Sequence, residues 1–453
     1  MLSALRDAKC APLLPNLKSV TIQRFIVQPG NVPDFVQCIS PPSLQELSLE
    51  VGHWQRPLVH DGDAGEEQKL LTLAKGLPLL QQVTLQVNPA ICRFAALAEA
   101  VVPWSQLRSF EFRLIPPDRH INAHDPVADY RLLHELSRLP VLEELVLQLR
   151  SPPFHSPTGS VWISGGEGFT ERSFVFRALR RLRISARDTT AARAILDAIS
   201  SPALRELDVA TLDLTVFTTL ISDIRARPAI TLLTKLTLSG FSGTGGQNTI
   251  VPASALHPLT HLHQLRYLSI NAYIHECPSA IAVGDVELEM FTRAWPQLCE
   301  FRISDGYGPT VGRTVQTLVH LARHCPTLWH ATTTLDDNSQ CWPDLQELEK
   351  HSDERAEDGL TRNSRPTLDS LPVNNHLTHL RLHHSSFADD HLDILARVLA
   401  KMFPRLCVVT HMVKNSPAPG GRSLHMAMQL PYRETAWKKL WDLISDYQRL
   451  PHS

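Results

Sequence analysis

The chain has 453 residues, is 43% apolar, and carries 44 Lys+Arg against 46 Asp+Glu. That length suits about three ordinary domains or one extended array, and the charge balance argues against a nucleic-acid or membrane-surface binder, which would carry a basic excess. No run approaches 18 apolar residues, the first ten lack a signal-peptide core, and the eight cysteines include no Cys-x-x-Cys, so no membrane span and an intracellular, reducing setting (cytoplasm, nucleus or both) are expected.

Taken from the N-terminus, residues 1–9 read as a helix, and then a short pattern begins to recur: apolar-x-x-apolar-x-apolar. Its copies are Leu17/Val20/Ile22, Leu44/Leu47/Leu49, Leu80/Val83/Leu85, Leu107/Phe110/Phe112, Leu142/Leu145/Leu147 and Leu179/Leu182/Ile184. Next come Leu204/Leu207/Val209, Leu233/Leu236/Leu238, Leu265/Leu268/Ile270 and Leu298/Phe301/Ile303. A degenerate copy at Leu328, Leu377/Leu380/Leu382 and a partial copy at Leu406 complete the series, at a mean interval of about 32 residues. The last two apolar positions alternate with polar ones, as in a strand with one buried face. Segments of helical spacing precede many copies: Leu70, Leu71, Leu73, Ala74 and Leu77; Ile195, Leu196 and Ile199; Leu392, Ile394, Leu395, Val398 and Leu399. Pro15, Pro42, Pro78, Pro140, Pro202, Pro296, Pro326 and Pro404 each stand two residues before a copy's first leucine, where a helix must stop for the chain to become extended.

A helix–strand module of this size cannot cover its own apolar face, whereas stacked modules can. The expected fold is therefore α/β: a horseshoe-shaped solenoid over 1–414 with 12–13 units, a parallel sheet on the concave face and helices on the convex face. Pro-, Gly- or charge-rich insertions at 52–68, 116–129, 150–170, 240–252 and 272–285 should collect on one rim, as tolerated loops or as binding elements. A charged loop is expected over 347–375. Residues 415–453 read as a linker and a capping helix, with Ala436, Trp437, Leu440, Trp441, Ile444 and Tyr447 at helical spacing.

Alternation also predicts the solvent face of the sheet. It should present Glu46, Gln82, Glu111, Arg113, Glu144, Arg181, Arg183, Glu206, Asp208, Lys235, Tyr267, Glu300, Arg302, His330, His379, Arg381 and His383. Mixed charge suits a protein or peptide ligand better than a phosphate backbone. Arg181 and Arg183 face Glu206 and Asp208 on the next copy, so these neighbours are expected to pair across the sheet. His379 and His383 share a strand face, but Arg381 between them disfavours a cation, so no metal site is expected there. No nucleophile elbow, phosphate loop or dinucleotide motif completes itself. Neither a cofactor nor an enzymatic activity is expected.

These residues resemble a leucine-rich repeat protein, and phrases such as Leu139-Pro140-Val141-Leu142-Glu143-Glu144-Leu145 and His324-Cys325-Pro326-Thr327-Leu328 resemble the long, irregular repeats of fungal F-box proteins. The turn asparagine or cysteine of the regular repeat is met only at Asn88; Phe25, Gly52, Ile115, Arg150, Leu212 and Gly306 stand at the corresponding position elsewhere. The resemblance implies substrate recognition within an SCF-type ubiquitin ligase, with protein partners. A Skp-type adaptor would join only if an F-box is present in the full gene product, since none is expected ahead of a first repeat near residue 17. The alternative is a scaffold or regulator that binds a folded enzyme or GTPase without ligase recruitment.

Overall fold

In this computed structural model the described residues are 16–22, 43–50, 77–87, 94–114, 130–149, 174–186, 189–211, 221, 228–241, 250–273, 280–304, 312–335, 371–383, 389–412 and 430–449. The expected helix over 1–9, the insertions 52–68, 116–129 and 150–170, most of the charged loop 347–375 and the linker from 415 lie outside them. The chain divides into two compact units, Met1–Leu212 and Asp213–Ser453.

In the first unit the strands are β1 (Ser19–Ile22), β2 (Glu46–Glu50), β3 (Gln82–Val87), β4 (Ser109–Leu114), β5 (Glu144–Leu149), β6 (Phe174–Val175), β7 (Arg181–Ala186), β8 (Ile199–Ser200) and β9 (Glu206–Thr211). Seven of them form a parallel sheet in the order β1-β2-β3-β4-β5-β7-β9. The register places equivalent repeat positions side by side. Val20, Leu47, Val83, Phe110, Leu145, Leu182 and Leu207 form one row, and Ile22, Leu49, Leu85, Phe112, Leu147, Ile184 and Val209 another. Every described side chain in those rows is buried.

The second unit continues with β10 (Lys235–Phe241), β11 (Ile250–Pro252), β12 (Tyr267–Tyr273), β13 (Ala280–Ala282), β14 (Glu300–Ser304), β15 (His330–Thr333), β16 (His379–His383) and β17 (Val408–Met412). Six strands form its parallel sheet, in the order β10-β12-β14-β15-β16-β17. Each of the thirteen sequence copies, including the degenerate one at Leu328, thus builds a sheet strand. Both units are α/β leucine-rich repeat solenoids. Burying three apolar side chains per repeat contributes roughly 1.5–3 kcal/mol each before chain entropy is subtracted.

The turns into the strands explain the proline offset more closely than helix termination does. The first leucine of a repeat donates its N–H to the carbonyl three residues back: Leu80 to Leu77, Leu204 to Ser201, Leu298 to Trp295, Leu328 to Cys325 and Leu406 to Phe403. The intervening Pro78, Pro202, Pro296, Pro326 and Pro404 stand second in these turns, where a fixed φ near −65° is favoured. The repeat starting at Leu377 has Asn375 at that place. There Asn374, buried, substitutes its side chain: Oδ1 accepts from the N–H groups of His376 (2.8 Å) and Leu377 (3.0 Å), and Nδ2 donates to the Cys325 carbonyl (2.9 Å).

What precedes the turn varies. Helices occupy the slot at Phe94–Val101, Tyr130–Ser137, Thr189–Ala198, Asp285–Ala294, Val315–His324 and Asp389–Met402. Short 3-10 turns lie directly before β10 and β12, at Pro228–Leu232 and His257–His261, the latter following the short helix Ala253–Leu256. Just before β7 the described residues form strand β6, which pairs with β8. The cause is local: Phe174 and Phe176 are buried with Val175 exposed between them, a period of two. A second small pair, β11 with β13, lies inside the insertions 240–252 and 272–285. The helix Leu430–Arg449 buries Leu440 and Ile444 and packs on the helix Asp389–Met402. Tyr447 donates its hydroxyl to Asp393 Oδ1 (2.7 Å) and accepts from Arg397 Nε (2.9 Å).

Candidate protein-interaction face

The sheet face opposite the leucines carries the polar rows. In the first unit one row runs Ser19, Glu46, Gln82, Ser109, Glu144, Arg181, Glu206, and the next runs Thr21, Ser48, Thr84, Glu111, Val146, Arg183, Asp208. Glu46, Gln82, Arg181 and Arg183 are exposed, and Glu111, Arg113, Glu144, Glu206 and Asp208 half-buried. Val146 is the apolar exception and is buried. The expected cross-strand pairs form: Arg181 Nε donates to Glu206 Oε1 at 3.0 Å and Arg183 Nε to Asp208 Oδ2 at 2.7 Å. Arg113 donates to Glu111 on its own strand (2.7 Å), Thr84 reaches Glu111 (3.5 Å), and Ser109 Oγ donates to Glu144 (3.1 Å). More than half of each Arg181 and Arg183 side chain remains exposed, 58% and 54%. These pairs fix the direction of the charges without adding much stability, ~0–1 kcal/mol each.

In the second unit the corresponding rows are Lys235, Tyr267, Glu300, His330, His379, Val408 and Thr237, Ser269, Arg302, Thr332, Arg381, Thr410. Tyr267 and His379 are exposed; Lys235, Glu300, Arg302 and Arg381 are half-buried; His383 ends β16. Arg302 sits 2.5 Å from Glu300 on its own strand, and Arg381 Nε donates to Thr410 Oγ1 at 3.2 Å. His330 departs from the pattern. Although its register is that of an exposed row, it is buried, as is Thr332 two residues on. Its Nε2 lies 3.1 Å from Thr332 Oγ1, and its ring stacks on His379 (6.0 Å) and meets Trp329 edge-on (5.4 Å). Burial, with Arg302, Arg381 and His379 adding repulsion, lowers its pKa to about 4. It is a packed residue within the polar row.

No protein-family model matches the chain, and no curated protein does. Solved structures do. The chain is similar to a Listeria monocytogenes internalin, InlF, at 13% identity over 91% of this chain and 93% of that one, with a TM-score of 0.38. It is similar to a chain of the yeast Rad7–Elc1 complex at 12% identity, covering 87% of each, with a TM-score of 0.37. The leucine-rich repeat-containing protein LegL7 of Legionella pneumophila matches at 11% identity over 96% and 98%, with a TM-score of 0.30. Likenesses this distant assign neither a partner nor an activity.

Among the described residues, no helix is long and apolar enough to cross a membrane. An open cleft of about 640 Å³ lies in the helical layer of the second unit, with His261, His263, Met290 and Arg293 in its wall. Glu289 belongs to the same wall. The sequence singled out the histidines of β16 and passed over His320 and His324 on the helix Val315–His324. Those two approach Glu289, the one grouping of three metal-ligating side chains among the described residues. The available signal was their i, i+4 spacing, which puts both rings on one helix face.

Proposed function

We propose that this chain binds another protein through the polar face of its repeat sheet, and that it acts by binding rather than catalysis. The observation that supports this most directly is the group Glu111, Arg113, Glu144, Arg181, Arg183, Glu206 and Asp208. Both signs are interspersed there, half-exposed or exposed, and held by hydrogen bonds of 2.7–3.1 Å, Glu144 by Ser109 and the others by one another. Charges already oriented before binding cost less to order at an interface and discriminate strongly against like charge. The finer reading, resting on the resemblance of the repeats to fungal F-box proteins, is substrate recognition for a ubiquitin ligase. In our reading residues 1–414 form the recognition array, and the helix Leu430–Arg449 serves as its terminal cap.

The test uses the full chain as bait in an extract of the source organism, beside the double variant Arg181→Glu/Arg183→Glu. A partner captured by the parent and then purified should bind the variant at least tenfold more weakly, with the affinity of the parent falling as salt rises. Retention of no protein, or equal affinity for both baits, refutes the proposed face. The ligase reading is tested separately: the partner's ubiquitination should depend on this chain in a reconstituted extract, and indifference to its removal ends that reading while leaving the binding face intact.

A further inference from the structure

We propose that Glu289, His320 and His324 form a binding site for a divalent zinc ion in the helical layer of the second unit. Glu289 lies on the helix Asp285–Ala294, and the two histidines lie one turn apart on the next repeat's helix, Val315–His324. One carboxylate oxygen and one nitrogen from each ring lie within 4.8 Å of one another. Ligands around a tetrahedral zinc ion, with bonds of about 2.0–2.2 Å, stand roughly 3.3 Å apart. A change of the order of an ångström, within the reach of the Glu289 side chain, would close the set.

A second observation points to a ligand. His320 is only 5% exposed, and its Nδ1 is buried without a hydrogen-bond partner; Nε2 of His324 is buried and unpartnered as well. Two orphaned imidazole nitrogens in one small region are uncommon, because a buried polar atom normally finds a partner or costs free energy. A cation bound at these nitrogens would accept their lone pairs and so satisfy them. Burial disfavours the charged form and lowers the pKa of each ring, and Arg323 reinforces the effect at both, with Arg293 doing so at His324. Glu289 acts in the opposite direction on both rings, and Asp285 does so on His320.

Two cationic groups compete with a metal. Arg293 Nη2 lies 2.5 Å from Glu289 Oε1, and Arg323 adjoins His324 in sequence. Arg293 is 63% exposed, so it can share the carboxylate or swing into water at little cost. Three protein ligands leave the fourth position to water or to a group from outside. Imidazole and carboxylate together suit zinc, whereas magnesium and calcium favour all-oxygen sets.

The test is equilibrium dialysis of the chelator-stripped full chain against zinc, with metal counted by mass spectrometry and cobalt(II) as an optical probe. The parent should hold one zinc per chain, show tetrahedral cobalt bands in the visible, and melt at higher temperature with zinc. His324→Ala and Glu289→Gln should each weaken binding at least tenfold and abolish the cobalt bands, while His134→Ala leaves both unchanged. Circular dichroism establishes that each variant is folded, and Glu289→Gln, nearly isosteric at a half-buried position, carries the test if His324→Ala unfolds. Absence of stoichiometric zinc in the parent, or undiminished binding in a folded Glu289→Gln, overturns the site.

Discussion

Replacing Asp285 by alanine should destabilise the second unit by about 3 kcal/mol. Asp285 opens the helix Asp285–Ala294, yet its carboxylate serves the next repeat. Its oxygens accept from the Thr314 N–H (3.1 and 3.2 Å), the Thr314 hydroxyl (2.6 Å) and the Thr317 hydroxyl (2.5 Å). Thr314 in turn caps the helix Val315–His324, accepting the Gln316 N–H at 3.0 Å. Hydrogen bonds to a charged acceptor contribute about 1.5–3 kcal/mol each. These groups are only partly buried, so water replaces some of what alanine removes. A loosened cap adds about 1 kcal/mol, and the lost anion at two helix N-termini adds about 0.3–1 kcal/mol apiece. With water replacing about half of this, the lower end of the sum comes to the stated figure, with Asp285→Asn losing about half as much because it keeps an acceptor oxygen. Urea unfolding followed by far-ultraviolet circular dichroism should show a lower midpoint at unchanged slope. Thr314→Val removes one of the same bonds, so the double variant should cost about 1 kcal/mol less than the two single losses combined. A cost below 1 kcal/mol for Asp285→Ala, or strict additivity with Thr314→Val, would refute this account of how adjacent repeats are coupled.

Two further outcomes follow from buried titratable groups. The folded protein holds the His330 pKa near 4, whereas an unfolded chain protonates it near 6.5. The unfolded state therefore takes up the proton first as pH falls. The His330 contribution is intact above about pH 6.5, declines between about 6.5 and 4, and is then constant, a loss of about 3 kcal/mol. The difference between the stability–pH curves of the parent and His330→Gln should show that slope; a flat difference rejects it. Burial pushes the Cys325 thiol up to about 12. At pH 8 it should resist iodoacetamide in the native protein and react in urea, while exposed Cys407 is modified in both, as read by peptide mass spectrometry.

The strands were legible because a parallel stack demands the same side chain at the same register in each copy. That demand left thirteen similar phrases in the sequence, and even Leu328, with Ala331 and Thr333 where larger residues usually stand, kept enough to be placed in register. The helices were less legible. Their slot needs only something apolar against the sheet, and the stretch just before the turn is a helix in some repeats, a 3-10 turn at Pro228–Leu232 and the strand Phe174–Val175 before β7. Proline was read correctly as a boundary but for an incomplete reason, and Asn374 shows why: the turn requires a partner for the Leu377 N–H, which either a backbone carbonyl or an amide side chain supplies.

On the polar face, alternation specified which side chains leave the core but not which are covered afterwards, so His330 was placed in the right row with the wrong environment. The repeat register would have paired Glu289 with His320, and i, i+4 spacing would have added His324. Counting back from Leu298 and Leu328, Glu289 stands nine residues before its leucine and His320 eight before its own. Offsets that agree to within one residue become neighbours when repeats stack, as Glu289 and His320 do. In a repeat array, then, chemistry that is scattered along the chain should be sought by offset from the repeating leucine rather than by distance in sequence. In the strands, residues one repeat apart at like offsets are about as close in space as residues one turn apart on a helix, and in the helical layer long side chains such as Glu289 and His320 bridge a wider gap.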